Sequence, residues 1–286
     1  MRAILLAARP KTLPAAIVPV WLGCCLAYQQ KGEWSLSLMC CTLLSAICIQ
    51  IATNLFNDAI DASKGADTAN RLGPTRVTAS GILTKQTVFK WAAFFLAIAS
   101  IFALYLIYSR GWIILAIGIP SLYLSYGYTG GKFPLAYLGL GELFVFLFFG
   151  IIATMGTYYV QTEEWSPESA LLGAIIGLLS CFLIAINNLR DVVEDTSTGK
   201  KTLCVRLGPS LYKRIMFMMA AHCSLAILGL WWWLSLPIGC EICFIIVNWI
   251  LLNAVIMEKN TTKLNKYLAL SGLSLLVFAL MFTVSL

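Results

Sequence analysis

The sequence has few charged residues and almost no histidine. Only 12% of its 286 residues are Asp, Glu, Lys or Arg, whereas soluble domains carry about 25%. No polar stretch is long enough to form a separate soluble domain, and the single histidine, His222, lies inside an apolar run. These absences argue against a soluble enzyme and against histidine chemistry. The chain is 60% hydrophobic with a mean hydropathy of +0.85, which indicates a polytopic membrane protein.

Nine apolar stretches are candidates for membrane-spanning helices, since a spanning helix needs about 20 mostly apolar residues. They cover roughly 12–29, 36–57, 88–108, 112–128, 139–160, 168–189, 212–235, 236–257 and 267–286. The sequence therefore predicts an all-α membrane protein with nine transmembrane helices and a single domain over residues 1–286.

The distribution of basic residues predicts the orientation of the chain. With nine spans, all of the 20 Lys and Arg residues except Lys31 and Arg110 fall on the same side as the N-terminus. Because loops rich in Lys and Arg stay in the cytoplasm, the N-terminus is predicted to be cytoplasmic. The net charge of +7 is then mainly a topology signal, and its spread over several loops argues against nucleic-acid binding.

Two acidic clusters, Asn54–Asp61 and Asn187–Asp195, follow the second and the sixth apolar stretch on the predicted cytoplasmic side. Carboxylates near hydrocarbon are costly and usually handle ions or charged substrates. Spacings of three and four residues place the acidic residues of each cluster on one helical face. Two such faces could hold Mg²⁺ against a diphosphate, because Mg²⁺ combines one or two carboxylates with water and phosphate oxygens. The predicted catalytic and metal-binding residues are Asn54, Asp58, Asp61, Asp191 and Asp195.

A basic, glycine-containing loop follows each cluster, and both loops contain the string Arg-Leu-Gly-Pro, at 71–74 and at 206–209. The shared order of Asn, Asp and basic loop suggests two related halves, with Asp motifs near 54–61 and 187–195. Since Arg binds phosphate bidentately and Lys provides a point charge, the loops are predicted to bind the diphosphate. The predicted diphosphate-binding residues are Arg9, Lys64, Arg71, Arg76, Lys200 and Lys201.

Two tyrosines, Tyr126 and Tyr128, lie at the end of the fourth stretch, on the same side as the acidic clusters. Their ring faces could shield a carbocation, although tyrosine is also common at membrane interfaces. Together with Asn187 and Asn188 they are predicted to contact the prenyl or aromatic part of a substrate. Glu142 is a third acidic residue on this side.

These residues resemble the UbiA-type intramembrane prenyltransferases, and the resemblance extends over essentially the whole chain. The spacing Asn54…Asp58…Asp61 and the pair Asp191…Asp195 carry it. Within that family the chain is most similar to the menaquinone branch. The strings that indicate this branch are Ala8–Leu13, Gly73–Val77, Tyr128–Gly131, Gly139–Glu142, Phe148–Gly150, Asn187–Asp191 and Gly199–Leu203. One local departure is Lys132, where proline is expected.

The resemblance implies nine helices around a central cavity that opens sideways to lipid, in a bacterial cytoplasmic membrane, with the site facing the cytoplasm. It implies Mg²⁺, held by the two Asp motifs on the diphosphate. The implied reaction transfers a polyprenyl group from an allylic polyprenyl diphosphate to 1,4-dihydroxy-2-naphthoate. Carbon dioxide and diphosphate would leave, and demethylmenaquinone would form. A base for the ring hydroxyl could be Asp61 or Glu142.

Two alternatives stay open at the level of sequence. The aromatic acceptor could be 4-hydroxybenzoate or another dihydroxynaphthoate isomer. A secondary cation transporter would also place carboxylates at membrane-helix ends, and it would show ion-coupled flux without release of diphosphate.

Overall fold

The computed structural model describes residues 2–32, 34–66, 72–73 and 76–286, and this part of the chain contains helices and no strand. The α-helices are α1 (Arg2–Ala8), α2 (Pro14–Lys31), α3 (Leu36–Ser63), α4 (Lys85–Arg110), α5 (Trp112–Gly127), α6 (Gly141–Val145), α7 (Ala153–Thr162), α8 (Pro167–Arg190), α9 (Val192–Ser197), α10 (Leu203–Leu207), α11 (Pro209–Trp233), α12 (Cys240–Met257) and α13 (Leu264–Ser285). A π-helical segment, Phe146–Ile152, joins α6 to α7.

All nine predicted apolar stretches are helical, but they do not all meet the requirements for a membrane span. In the described part of the chain, seven helices are long and apolar enough. An eighth is added if the segments on either side of a 53° bend, Arg2–Thr12 and Pro14–Lys31, count as one span. Helix α5 has 16 residues, which rise about 24 Å, less than the hydrocarbon thickness of about 30 Å. The chain is thus an integral membrane protein, and the nine-span topology stays a prediction.

Helix α8 lies at the centre of the bundle. In its most apolar window 61% of the residues are buried, compared with 17% to 33% in the other six spans. It packs against α2, α7, α11 and α13, which provide the main apolar core. An element surrounded by protein rather than lipid can present polar residues inside the bundle, and the second acidic cluster begins in the last turn of α8.

Glycines bring the π-helical segment into close contact with α8. A Cβ atom on Gly150 would lie 2.5 Å from the Gly173 carbonyl oxygen, and one on Gly177 would lie 2.7 Å from the Phe146 carbonyl oxygen. Small residues of this kind let helix backbones approach closely inside membranes. The contact holds the start of α6 beside α8, where two cavity-lining residues, Glu142 and Asn188, meet.

The ends of α3 and α8 set the positions of the acidic clusters. Helix α3 continues to Ser63, beyond the predicted end of its apolar stretch near residue 57, so Asn54, Asp58 and Asp61 all lie on one helix. Helix α8 ends at Arg190, Asp191 follows it, and the short helix α9 then carries Asp195. The Asp195 amide donates to the Asp191 carbonyl at 2.8 Å, so the two residues stand one helical turn apart.

Candidate functional site

A cavity of about 1170 Å³ lies between α2, α3, α5, the α6–α7 span, α8 and α13. Its wall on α3 extends from Thr42 to Asp61. These 19 steps of helix rise about 28 Å, close to the thickness of a bilayer core. Charged and amide side chains gather at the Asp61 end, where Arg76 and Lys200 also line the cavity, whereas the opposite end is lined by residues such as Leu106 and Ile114.

Asp61 is the centre of the charged end of the cavity. Its side chain is buried, and Oδ2 lies 3.0 Å from Nη2 of Arg76 and 3.5 Å from Nζ of Lys200. The Tyr137 hydroxyl donates to Oδ1 at 2.8 Å. A buried carboxylate needs this set of partners, because the cost of desolvating it is offset only by close opposite charge and hydrogen bonds.

Asp58, one turn before Asp61, faces a different neighbour. Its Oδ2 accepts a hydrogen bond from the Val77 amide at 3.1 Å, and its Oδ1 accepts one from the Thr78 amide at 2.9 Å. It is 1% exposed, so both hydrogen bonds lie inside protein. Asp58 therefore fixes the segment that follows Arg76, and through it the position of that arginine.

Asp191 is paired with its neighbour in sequence. Arg190 donates from Nε and from Nη2 to the two oxygens of Asp191, both at 2.6 Å. The same guanidinium donates to Asn187 and to Asn265, each at 2.7 Å. Asn265 in turn donates to the Leu72 carbonyl at 2.9 Å. This buried network ties the end of α8 to the start of α13 and to the chain after α3.

Asp195 is buried to the same degree as Asp191, but no described residue donates a hydrogen bond to its carboxylate. Burial raises the pKa of Asp195 to about 7; the Asp191 and Asp61 carboxylates add to the rise, and Lys200 opposes it. Such a carboxylate is one that a cation would stabilise.

The turns that contain Asp61 and Asp195 have the same local geometry. The Ala66 amide donates to the Asp61 carbonyl at 2.9 Å, and the Lys200 amide donates to the Asp195 carbonyl at 2.8 Å. A glycine with positive φ, Gly65 at 68° or Gly199 at 73°, precedes each donor. Both are the glycine-ended helix caps in which an amide reaches back five residues.

The predicted diphosphate-binding residues are distributed unevenly. Arg76 and Lys200 contact Asp61, as described above. Lys64 donates to the Thr129 carbonyl at 2.8 Å and lies 3.9 Å above the centre of the Tyr137 ring. Arg9 lines the cavity at the break between α1 and α2, where its φ of 51° is unusual for a residue with a side chain.

Lys64 and Lys201 are not among the residues that line the cavity. Lys201 is exposed, and its carbonyl accepts a hydrogen bond from Arg206 at 3.1 Å. Arg71 lies outside the described residues.

Of the residues predicted to contact the prenyl or aromatic group, three line the cavity, namely Tyr128, Asn187 and Asn188. Tyr126 is 37% exposed and packs edge-on against Phe56 instead. Asn54 also lines the cavity, and its amide nitrogen donates to the Ala8 carbonyl at 2.9 Å.

Sequence reasoning did not assign Tyr137, Asn57 or Thr129 to the site. Tyr137 bonds Asp61 and lies beneath the ammonium of Lys64, and the Thr129 hydroxyl donates to the Asn57 side chain. The sequence signal was the segment 126–142, which is rich in glycine and tyrosine. Its composition predicts turns between two membrane spans and gives no indication of a site. Only the tertiary structure brings that loop against α3.

The site offers a small set of groups for a divalent cation. The described residues contain no cluster of three or more His, Cys, Asp and Glu side chains that could hold a metal ion. The Asp195 carboxylate receives no hydrogen bond from the described residues, and the charge of Asp61 raises its pKa, so these two aspartates fit the one or two carboxylates that Mg²⁺ usually takes. Asp61 lines the cavity, whereas Asp195 is not among the lining residues. The oxygens of Asp58 and Asp191 are engaged by backbone amides and by Arg190. Those of Asp61 are engaged by the side chains of Arg76, Lys200 and Tyr137, and Arg76 and Lys200 line the cavity beside it.

Comparison with known proteins gives similar sequences over most of the chain. A protein of Haemophilus influenzae named 1,4-dihydroxy-2-naphthoate octaprenyltransferase is 36% identical over 231 residues, which are 77% of this chain and 74% of that protein. The Escherichia coli protein of the same name is 36% identical over 244 residues, covering 80% and 78%. The Mycobacterium tuberculosis protein of that name is 38% identical over 203 residues, covering 70% and 68%.

Solved structures with the same fold are more distant in sequence. A UbiA homologue from Archaeoglobus fulgidus, bound to DMAPP and Mg²⁺, superimposes with a TM-score of 0.69 at 14% identity, over 96% of this chain and 98% of that one. The UbiA prenyltransferase family profile matches residues 16–273. With a matching profile over most of its length, relatives above 30% identity and the same helical fold, this chain belongs to the UbiA prenyltransferase family.

Proposed function

We propose that this protein transfers a polyprenyl group from an allylic polyprenyl diphosphate to 1,4-dihydroxy-2-naphthoate. The observation that carries the proposal is one cavity that joins a charged end, around Asp61, Arg76 and Lys200, to an apolar length of about one bilayer thickness. The names of relatives at 36% and 38% identity support the choice of acceptor.

The charged end is suited to the diphosphate. Arg76 and Lys200 supply fixed positive charge beside Asp61, and Arg9 lines the same cavity. Lys64 does not line it, but its ammonium lies above the ring of Tyr137, which bonds Asp61. Donors that are already oriented stabilise the charge that develops on a leaving diphosphate, because no reorganisation is needed during the reaction. Asp58 and the Arg190–Asp191 pair act indirectly, by holding the backbone segments that carry these groups.

Mg²⁺ is the expected cofactor, with Asp61 and Asp195 as its principal ligands. Asn54, which lies two helical turns before Asp61 and lines the cavity, is a further candidate ligand. When bound, the ion would neutralise the diphosphate and make it a better leaving group. Asp58 and Asp191, predicted ligands in the sequence, are assigned here to positioning. The equivalent turns around Asp61 and Asp195 support a single domain over 1–286 built from two related halves.

The apolar length of the cavity is suited to the isoprenoid chain, even though several hydroxyl residues line it. Thr42, Thr53, Ser121 and Thr157 each donate to the carbonyl four residues earlier in their own helix, at 2.7 to 2.8 Å. These four hydroxyls therefore offer no free donor to the cavity. Along this stretch a hydrocarbon tail therefore contacts few polar groups that lack a hydrogen-bond partner.

The reaction would proceed by attack of the electron-rich naphthoate ring on the allylic carbon as the carbon–oxygen bond to diphosphate breaks. In the menaquinone-type reaction the ring carbon that is attacked bears the carboxylate, which leaves as CO₂. Both ring hydroxyls are retained, so the immediate product is demethylmenaquinol, the reduced form of demethylmenaquinone. Tyr128 lies beside the charged end of the cavity, where its ring can stabilise developing positive charge.

The expected orientation places the charged end of the cavity in the cytoplasm of a bacterial inner membrane. Lys31 and Arg110, the two basic residues predicted outside, form ion pairs with Glu164 and Glu163 at the far ends of α2, α4 and α7. Reporter fusions after Arg110 and after Ser197 test this orientation. Periplasmic activity of the first and cytoplasmic activity of the second are expected, and the reverse would contradict the orientation.

The function is tested by incubating membranes that contain the protein with 1,4-dihydroxy-2-naphthoate and radiolabelled polyprenyl diphosphate, with Mg²⁺ and with EDTA. We expect Mg²⁺-dependent demethylmenaquinol, detected as demethylmenaquinone after oxidation in air, and stoichiometric diphosphate. Product only with 4-hydroxybenzoate would keep the reaction class and change the acceptor. Absence of diphosphate release with every acceptor, together with Asp-dependent ion flux in vesicles, would replace the proposal by a transporter. Asp61→Asn is the inactive control.

A further inference from the structure

Glu142, at the start of α6, is a buried acidic residue in the cavity wall that the diphosphate chemistry does not use. It is 7% exposed. Its Oε1 accepts hydrogen bonds from the Tyr212 hydroxyl and, at 2.8 Å, from Nδ2 of Asn188. Its Oε2 is buried and receives no hydrogen bond from the described residues. A buried carboxylate oxygen without a hydrogen-bond donor costs free energy, so Oε2 is expected to accept a hydrogen bond from a ligand.

The charge around Glu142 restricts the kind of ligand. No ion pair joins Glu142 to a basic residue in the described part of the chain. A carboxylate without a neutralising cation repels a diphosphate, and an isoprenoid chain has no donor to offer it. The ligand must therefore bring an O–H or N–H group and must keep any negative charge of its own away from Glu142.

The wall beside Glu142 is aromatic. Phe144 and Phe148 line the cavity with their rings stacked at 4.3 Å and 21°, and Tyr128 packs against Phe144 at 5.7 Å. A Cβ atom on the neighbouring Gly141 would lie 2.9 Å from the Tyr128 hydroxyl oxygen, so glycine is required for this close approach. Aromatic walls favour flat aromatic ligands through stacked and edge-on contacts.

Resting on the proposed function, we infer that Glu142 receives a ring hydroxyl of the aromatic acceptor at Oε2, and that Tyr212 and Asn188 position the carboxylate for this contact. The ring then lies along Phe144 and Phe148. Its own carboxylate points away from Glu142, toward the positive charge of Lys200 and Arg76. The hydrogen bond to Glu142 also raises electron density in the ring that must attack the allylic carbon.

The test is steady-state kinetics on the purified full chain, with each substrate varied while the other is saturating. Glu142→Gln is expected to raise KM for 1,4-dihydroxy-2-naphthoate about tenfold or more, because a ligand O–H loses its charged acceptor. KM for the polyprenyl diphosphate should stay within about twofold of wild type. The matched control is Glu241→Gln at the start of α12, a buried glutamate outside the cavity, 1% exposed. It should change neither KM.

A competitive inhibitor without a hydroxyl distinguishes the loss of the Glu142–hydroxyl contact from general damage to the site. 2-Naphthoate has the ring and the carboxylate but no hydroxyl, so its inhibition constant should be the same for wild type and Glu142→Gln. Equal weakening of 2-naphthoate and of the dihydroxy acceptor, or a parallel rise in both KM values, would overturn the assignment.

Two further results bear on the positioning residues and on the substrate. Tyr212→Phe keeps the shape of a buried residue and the Glu142 carboxylate, and it should raise the acceptor KM several-fold. An unchanged acceptor KM in that variant would overturn the positioning role, even if Glu142→Gln does not fold. If the wild type prenylates a different aromatic acid, the proposed substrate fails, and the same comparison with that acid and its hydroxyl-free analogue still decides the role of Glu142.

Discussion

The turn that ends α3 and the turn that ends α9 have the same backbone geometry, but the aspartates in them are neutralised differently. In each, an Asp stands four residues before a glycine with positive φ, and an Asn stands seven residues before the Asp. Asp61 has Arg76, Lys200 and Tyr137 as partners, whereas the Asp195 carboxylate has no hydrogen-bond donor among the described residues. The same local geometry thus supports one carboxylate that is already paired and one that needs an added cation.

The remaining aspartates of the two clusters extend this comparison. Asp58 accepts two backbone hydrogen bonds, and Asp191 is held by Arg190. Asp58 and Asp191 thus bond their immediate surroundings, whereas Asp61 lines the cavity and Asp195, outside the lining, is the carboxylate without a donor among the described residues. Acidic residues in a membrane protein need not all be ligands, because satisfying buried backbone amides is an equally strong requirement.

The largest expected effect comes from removing the charge of the site aspartates. Asp61→Asn or Asp195→Asn should lower the rate of prenyl transfer per folded protein by about 10³-fold, since the metal and diphosphate lose electrostatic stabilisation in a water-poor site. The measurement is product formation normalised to protein that remains monodisperse in detergent. Activity within tenfold of wild type in either variant would contradict the assignment.

Substitution of Asp58 should instead reduce the stability of the fold more than it reduces the rate of prenyl transfer. Asp58→Ala removes the acceptor of two buried amides, at about 1.5–3 kcal/mol for each hydrogen bond to a charged group. A clear fall in the melting temperature in detergent is expected. The protein that stays folded at low temperature should keep its turnover within about tenfold of wild type. Unchanged melting with abolished turnover would instead make Asp58 a ligand.

Asp195 should make the stability of the metal-free protein depend on pH. A carboxyl whose pKa is about 7 in the folded protein binds its proton more tightly than in the unfolded chain, where the pKa is about 3.9. Stability is therefore lost as pH rises from about 4 to about 7, by as much as about 4 kcal/mol. Melting in EDTA measures this loss. Asp195→Asn should remove that contribution, and Mg²⁺ should stabilise the wild type at pH 8 more than the variant.

The smallest effect is expected at Tyr137. Tyr137→Phe removes the hydrogen bond to Asp61 and keeps the ring beneath Lys64. A net loss of about 1 kcal/mol corresponds to a rise of several-fold in KM for the polyprenyl diphosphate. Titration of that substrate at fixed acceptor measures it. Tyr137→Leu also removes the ring and should have a larger effect; equal effects of the two substitutions would exclude a role for the hydroxyl.

The sequence by itself determined the helical membrane architecture and the two acidic clusters. These follow from apolar length and from the spacing of polar residues, both of which are local properties of the chain. The end of α3 at Ser63 and the short length of α5 could not be predicted in the same way, since hydropathy shows which residues can lie in lipid and not where a helix ends.

Only the tertiary structure decided what each polar side chain does. Spacing alone gives Asp58 and Asp61 the same helical face, yet Asp58 meets the amides of Val77 and Thr78 and Asp61 meets Arg76 and Lys200. Glu142 reaches the cavity because the α6–α7 span packs against α8 through glycines that are distant in sequence. Partners of buried charges come from distant segments, so the division between ligands and supports depends on packing and not on the local pattern.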